Sequence, residues 1–144
     1  MIFDFLINII DYTNKNKVIN FFKKKINQNF INVIDVGGHK GETINFFLKN
    51  FNINKIYVFE PNHQLYEVLI RKFRNQNIFI FNYGVGFKNE KKKLNISIDS
   101  ASSTINKINT NTNYYKRKKK YLTLGKNTPY FVDTQEIKVI NLSE

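Results

Sequence analysis

The chain has 144 residues, the size of one ordinary domain, and carries 23 Lys and Arg against 11 Asp and Glu, a formal net charge of +12. It contains no cysteine, which excludes a disulfide framework and thiolate-bound metal. No apolar run reaches the roughly 18 residues that span a bilayer. The first ten residues, MIFDFLINII, contain Asp4 and lack both a basic start and a small-residue cleavage site. They predict a terminal helix resting on the core rather than a signal peptide, and the expected location is cytoplasmic. The positive charge invites a nucleic-acid partner. Lys, Asn, Ile, Phe and Tyr are all abundant together, however, as AT-rich codons would make them, and composition alone accounts for much of the excess.

In chain order, Val18, Ile19, Phe22 and Ile26 recur at helical spacing between Lys15 and Ile26. FINVIDV, Phe30 to Val36, is a short β-branched run, apolar on both faces, as a buried parallel strand is. ETINFFLKNF, Glu42 to Phe51, returns to helical periodicity. The unit then repeats. KIYVFE (Lys55 to Glu60) predicts a strand, Pro61 and Asn62 a turn, HQLYEVLIRKF (His63 to Phe73) a helix, and NIFIFN (Asn77 to Asn82) a third strand. Alternating strands and helices at this spacing predict βαβ units in a parallel sheet covered on both faces.

After Gly86 the rhythm changes. KKKLNISID, Lys91 to Asp99, alternates with period two, and Ser102 to Ile108 reads as its antiparallel partner. Asn109 to Lys120, ending in YYKRKKK, is polar and basic and reads as a mobile loop. EIKVINLSE, Glu136 to Glu144, reads as a last strand.

Between the first strand and its helix lies DVGGHKGE, Asp35 to Glu42. A strand end that turns through glycines into a helix N-terminus brings backbone N–H groups towards a ligand beyond the sheet's carboxyl edge. A P-loop needs Lys and then Ser or Thr after its last glycine, and Glu42 stands there instead. A dinucleotide fingerprint ending on Gly38 and Gly41 would put its first glycine on Val36. What remains is D-x-G-x-x-x-G, with Asp35 on the strand itself and Gly37, Gly38 and Gly41 in the bend. This form suits S-adenosyl-L-methionine, which presents an ammonium, a sulfonium and a ribose rather than a phosphate. Asp35 would attract the ammonium, and Glu60, at the tip of the next strand, would accept from both ribose hydroxyls. Pro61, Asn62, Asn82 and Tyr83 would lie near the adenine.

IDVGGHKGET, YVFEPN and NIFIFNYGVG, in that order, resemble the FkbM-type family of class I S-adenosylmethionine-dependent methyltransferases. SASSTI (Ser100 to Ile105) and the closing VINLSE resemble it more loosely. The resemblance covers most of Phe30 to Glu144. It implies an α/β, Rossmann-like, three-layer α/β/α fold with a mostly parallel sheet and an antiparallel β excursion. It also implies methylation of hydroxyls on sugars, glycans or small metabolites. The family pattern usually has Asp where Ser143 stands and continues into a fourth core strand. The chain is therefore expected to be a cofactor-binding fragment, truncated before that strand, with one edge of the first strand exposed or covered by Glu136 to Leu142.

Plainer roles stand beside these. Asp35 can cap a turn, the glycines can merely permit one, and Glu60 can be a solvated strand-end acid. His39 and Lys40 fill free loop positions, and His63 suits a helix cap. Ser102, Ser103 and Thr104 suit hairpin decoration or a contact in the active site. YYKRKKKY, Tyr114 to Tyr121, interleaves rings and cations as nucleic-acid or anionic-glycan surfaces do. No residue is assignable as a general base, and two histidines with scattered acids make no metal site. The competing functions are an NAD-dependent oxidoreductase domain, since Glu60 also suits that ribose, and a basic nucleic-acid-binding module.

Overall fold

The computed structural model describes residues 17–26, 31–74, 76–126 and 128–143. The expected helix over Met1 to Ile10 lies outside them, as do Phe30 and the first residues of the Lys15 to Ile26 segment. A helix over 17–25 (α1) places Phe22 against the rings of Phe47 and Phe51, at 6.1 and 6.5 Å between centroids.

The βα rhythm predicted from the sequence is present. In order come β1 (Ile31–Val36), α2 (Glu42–Asn50), β2 (Ile53–Phe59), α3 (His63–Lys72) and β3 (Ile78–Phe81). The three strands form a parallel sheet in the order β1-β2-β3. Ile44 of α2 and Leu69 of α3, both fully buried, close on Val33, Ile56, Val58 and Ile78 in one core. The two helices therefore cover the same face of the sheet. α3 starts where it does because the Asn62 side chain accepts from the N–H groups of Gln64 and Leu65 at 2.9 and 3.3 Å. Asn62 is thus the cap expected of His63.

The described residues show one helix layer, against the expectation of a sheet covered on both faces. Among them no helix covers the opposite face, and Ile34 and Val36 of β1 are 62% and 58% exposed. Further along it, Tyr57 stacks on Phe79 and Phe59 on Phe81, so neighbouring rings shield one another where a helix layer would. The outer edge of β1 has no strand partner among the described residues.

The strand expected to cover that edge lies elsewhere. β4 (Gly84–Val85), β5 (Glu90–Ser97) and β6 (Phe131–Ile140) form a second sheet in the order β4-β6-β5. β6 begins before the predicted Glu136, pairs antiparallel with all of β5, and runs parallel to β4. Leu94, Ile96, Ile137 and Val139 form its core. The expected partner of β5, Ser102 to Ile108, forms no strand with it: a single β-bridge joins Asn95 and Thr104, the Ser103 hydroxyl accepts from the Ser97 N–H, and Ile105 packs on the same core. A ten-residue strand with its own apolar register outcompetes a short polar one.

The basic segment is the largest correction. Asn113–Leu122 is a helix (α4), not a loop. Lys, Arg and Leu are good helix formers. Thr112 caps the first turn, its hydroxyl accepting from the Tyr115 N–H at 3.2 Å. Tyr115 packs on the buried Tyr130 ring at 5.2 Å. Lys118 binds Asp99 at 3.6 Å and the Ser102 hydroxyl. Thr112→Ala is expected to cost about 1 kcal/mol and to reduce helicity, read by urea unfolding and far-ultraviolet circular dichroism. Unchanged helicity would mean that the Tyr115 and Lys118 anchors suffice without the cap.

Candidate functional site

Parallel pairing of β1 with β2 sets Val36 opposite Phe59. The residues that leave these strands, Gly37 and Glu60, therefore emerge side by side at the carboxyl edge. Asp35, the last inward-facing residue of β1, is 8% exposed, and Glu60 is 5% exposed. Glu60 holds the bend together: its Oε2 accepts from the His39 N–H and its Oε1 from the Asn62 N–H, each at 2.8 Å. Asn82 fixes the backbone beneath, its side-chain amide donating to the Glu60 and Pro61 carbonyls at 2.8 and 3.2 Å.

Asp35 has no such support. Its Oδ2 is buried without a hydrogen-bond partner. Burial, then the nearby carboxylates of Glu60 and Glu42, push its carboxyl above the ordinary range. The folded chain thus holds this proton more tightly than the unfolded chain. As pH rises from the ordinary value through the raised one, the unfolded state carries fewer protons and stability falls. Asp35→Asn is therefore expected to raise the melting temperature of the free protein at neutral pH by roughly 2–4 °C. It should also flatten that part of the pH–stability curve, as thermal scans at several pH values would show.

The glycines divide by role. Gly37, at φ +88°, borders open space, where an added Cβ meets nothing within 4 Å. A Cβ on Gly38 would stand 2.3 Å from Val58, and one on Gly41 would stand 2.2 Å from the Phe73 ring. Only Gly37 faces the cavity. Gly38 and Gly41 let the bend settle on β2 and α3.

The bend's amides are also spoken for. The N–H groups of Gly37 and Gly38 donate to the Phe59 carbonyl and that of Gly41 to the Gly38 carbonyl. Those of His39 and Lys40 donate to Glu60 and Glu42. The cradle of free N–H groups anticipated from the glycines is consumed internally.

A cavity of about 130 Å³ opens at this edge. It has room for one sugar ring rather than a whole nucleoside. Gly37, Glu60, Pro61 and Asn62 line it, together with residues the sequence did not single out as ligand contacts: Leu94 of β5 and Ser100 and Ala101 of a short 3₁₀ turn (Ser100–Ser102). Ser103, from the weighed serine cluster, also lines it. The SASSTI resemblance was the available signal for this turn. Asn82 supports the site from below. Tyr83 stacks on Phe81 with Lys138 over its ring, and it does not line the cavity.

His39 lines the cavity in a left-handed conformation, φ +48°. Its Nε2 lies 2.7 Å from Ser100 Oγ, and its Nδ1 lies 3.5 Å from Glu42 Oε2. With the proton on Nδ1 directed at Glu42, Nε2 accepts from the Ser100 hydroxyl. Partial burial opposes Glu42 ionisation, but its own N–H, His39 and the Lys40 N–H outweigh that and hold its carboxyl below the ordinary value. The described residues contain no group of acids and histidines able to hold a metal ion, and no helix long and apolar enough to cross a membrane.

What fold and site define together is a mixed α/β protein with a cavity at the carboxyl edge of a three-stranded parallel sheet, walled by Glu60, while Asp35 lies buried behind the bend and outside the cavity lining. No protein-family model, no curated protein and no solved structure matches the chain.

Proposed function

We propose that the chain binds S-adenosyl-L-methionine as a Rossmann-like methyltransferase domain of the FkbM type, serving transfer of a methyl group to a hydroxyl of a sugar, glycan or small metabolite. The observation that carries this reading is the partnerless, buried Oδ2 of Asp35 beside Glu60, in a bend whose amides are already bonded. Such a site repels a phosphate: an anion would meet the Glu60 carboxylate, with Asp35 and Glu42 close by, and no free N–H from Gly37 to Gly41. It suits a ligand with a cationic end and a diol. This weighs against NAD, whose pyrophosphate needs those amides.

In this reading Asp35 takes the ammonium, and Glu60, already rigid, accepts from the ribose hydroxyls. The bound sulfonium supplies an activated methyl group. The chain's own contribution is alignment and removal of the acceptor's proton. His39, which lines the cavity and is backed by Glu42, would take that proton at Nε2 once the acceptor hydroxyl replaces the Ser100 hydroxyl there.

Calorimetry with S-adenosyl-L-methionine and with NAD tests the assignment. The expected result is saturable binding of the first alone, weakened about tenfold or more by Asp35→Asn, as loss of one charge-assisted bond implies. Binding of NAD without S-adenosyl-L-methionine would reverse it.

A further inference from the structure

α4 carries Lys116, Arg117, Lys118, Lys119 and Lys120 in succession and no acid. Among the described residues, Lys118 alone of these meets a carboxylate, that of Asp99. The inner side of the helix, beneath Tyr115 and Thr123, borders a cleft of about 380 Å³. Lys116, Lys119, Lys120 and Lys126 line this cleft with the hydroxyl-bearing Thr110 and Thr123, and among the described residues no carboxylate does. Lys116 stands three and four residues from Lys119 and Lys120, the spacing at which like charges on a helix repel. The turn at Gly125, φ +76°, brings Lys126 back onto the same cleft. Four lysines lining one small-molecule-sized hollow call for an occupant with several negative charges close together. Among common metabolite groups at neutral pH, a diphosphate meets that demand.

We propose that this cleft is a binding site for the diphosphate group of a small phosphorylated molecule. The proposal stands independently of the cofactor assigned to the cavity beside Glu60. A nucleic-acid track fits less well. The two most exposed rings of α4, Tyr114 and Tyr121, are 73% and 79% exposed yet lie outside the cleft lining. The cleft's own ring, Tyr115, is packed against Tyr130. The cleft therefore offers clustered positive charge without a free stacking platform.

The test is titration calorimetry of the full chain with inorganic pyrophosphate at about 0.1 M salt, where long-range attraction is largely screened. Saturable one-to-one binding is expected. It should weaken about tenfold in Lys116→Gln/Lys120→Gln and stay within about twofold in Lys55→Gln/Lys93→Gln, which removes equal charge elsewhere. Pyrophosphate should also raise the melting temperature of the parent protein but not that of the cleft variant. If circular dichroism shows that the double variant has lost helix, Lys120→Gln alone decides by the same criterion. Absence of saturable binding, or equal weakening in both double variants, overturns the proposal. So does binding of poly(U) RNA or of phosphatidylcholine–phosphatidylserine vesicles that depends on Lys116 and Lys120 and that pyrophosphate fails to displace.

Discussion

Glu60→Ala is expected to destabilise the chain by about 3 kcal/mol and to lower its affinity for S-adenosyl-L-methionine at least a hundredfold. The first effect follows from two hydrogen bonds. The carboxylate accepts from His39 and Asn62 at 2.8 Å each, while only 5% exposed. A bond to a charged acceptor contributes about 1.5–3 kcal/mol, and truncation leaves both donors without partners. Relief of repulsion with Asp35, which Glu60 helps to push up, offsets part of that loss and keeps the net near the lower end. The second effect follows because the same oxygens are the ones assigned to the ribose diol, and because His39 loses the contact that fixes its left-handed backbone. Glu60→Gln separates the two. It keeps the shape and one acceptor, so stability should fall by about half as much, while binding should still drop steeply. Urea unfolding and calorimetry read the two effects independently. A Glu60→Ala protein that folds and binds S-adenosyl-L-methionine as the parent does would end the ribose assignment.

Gly41→Ala should cost about 3 kcal/mol, whereas Gly37→Ala, in the same bend, should cost only about 1 kcal/mol. Both positions have positive φ, +82° and +88°, so both substitutions carry the left-handed penalty of roughly 1–2 kcal/mol. They differ in what the new methyl meets. At Gly41 it would stand 2.2 and 2.6 Å from Phe73 ring carbons and 3.2 Å from Leu69, which is fully buried; at Gly37 it meets nothing within 4 Å. Overpacking of this kind adds about 1–3 kcal/mol. Pairing Gly41→Ala with Phe73→Leu should therefore cost less than the sum of the single changes. Strict additivity of the pair would mean that the ring moves aside freely and that strain alone is felt. Gly37→Ala has the opposite functional signature. It places a methyl at the wall of the cavity, so ligand affinity should fall more than stability does.

Local order along the chain carries the first half of the fold. Apolar runs ending in Asp35 and Glu60, a glycine bend, and helical periodicity through Ile44 and Leu69 are short-range signals. They specify β1-α2-β2-α3-β3 because each unit buries its own stripe on its nearest neighbours. The two acids at adjacent strand tips belong to the same logic, since parallel pairing of consecutive strands leaves their exits side by side.

Whatever depended on distant partners was open to competition, and there the chain alone misled. β5 prefers β6, so that Lys91 meets Glu136 across 45 positions, over the nearer Ser102 to Ile108, and no local pattern ranks those options. YYKRKKK reads as a solvated loop until Thr112 caps it and Tyr130 and Asp99 anchor its inner side. Three glycines so close together suggest room for a ligand, yet two of them make room for Val58 and Phe73. The bend's amides, expected to face outward, turn instead to Phe59, Glu60, Gly38 and Glu42. Periodicity reports which residues seek burial. The partner each one finds is settled only when segments far apart in the chain pack together, and the charge and hydrogen-bonding capacity left over at the site follow from that choice.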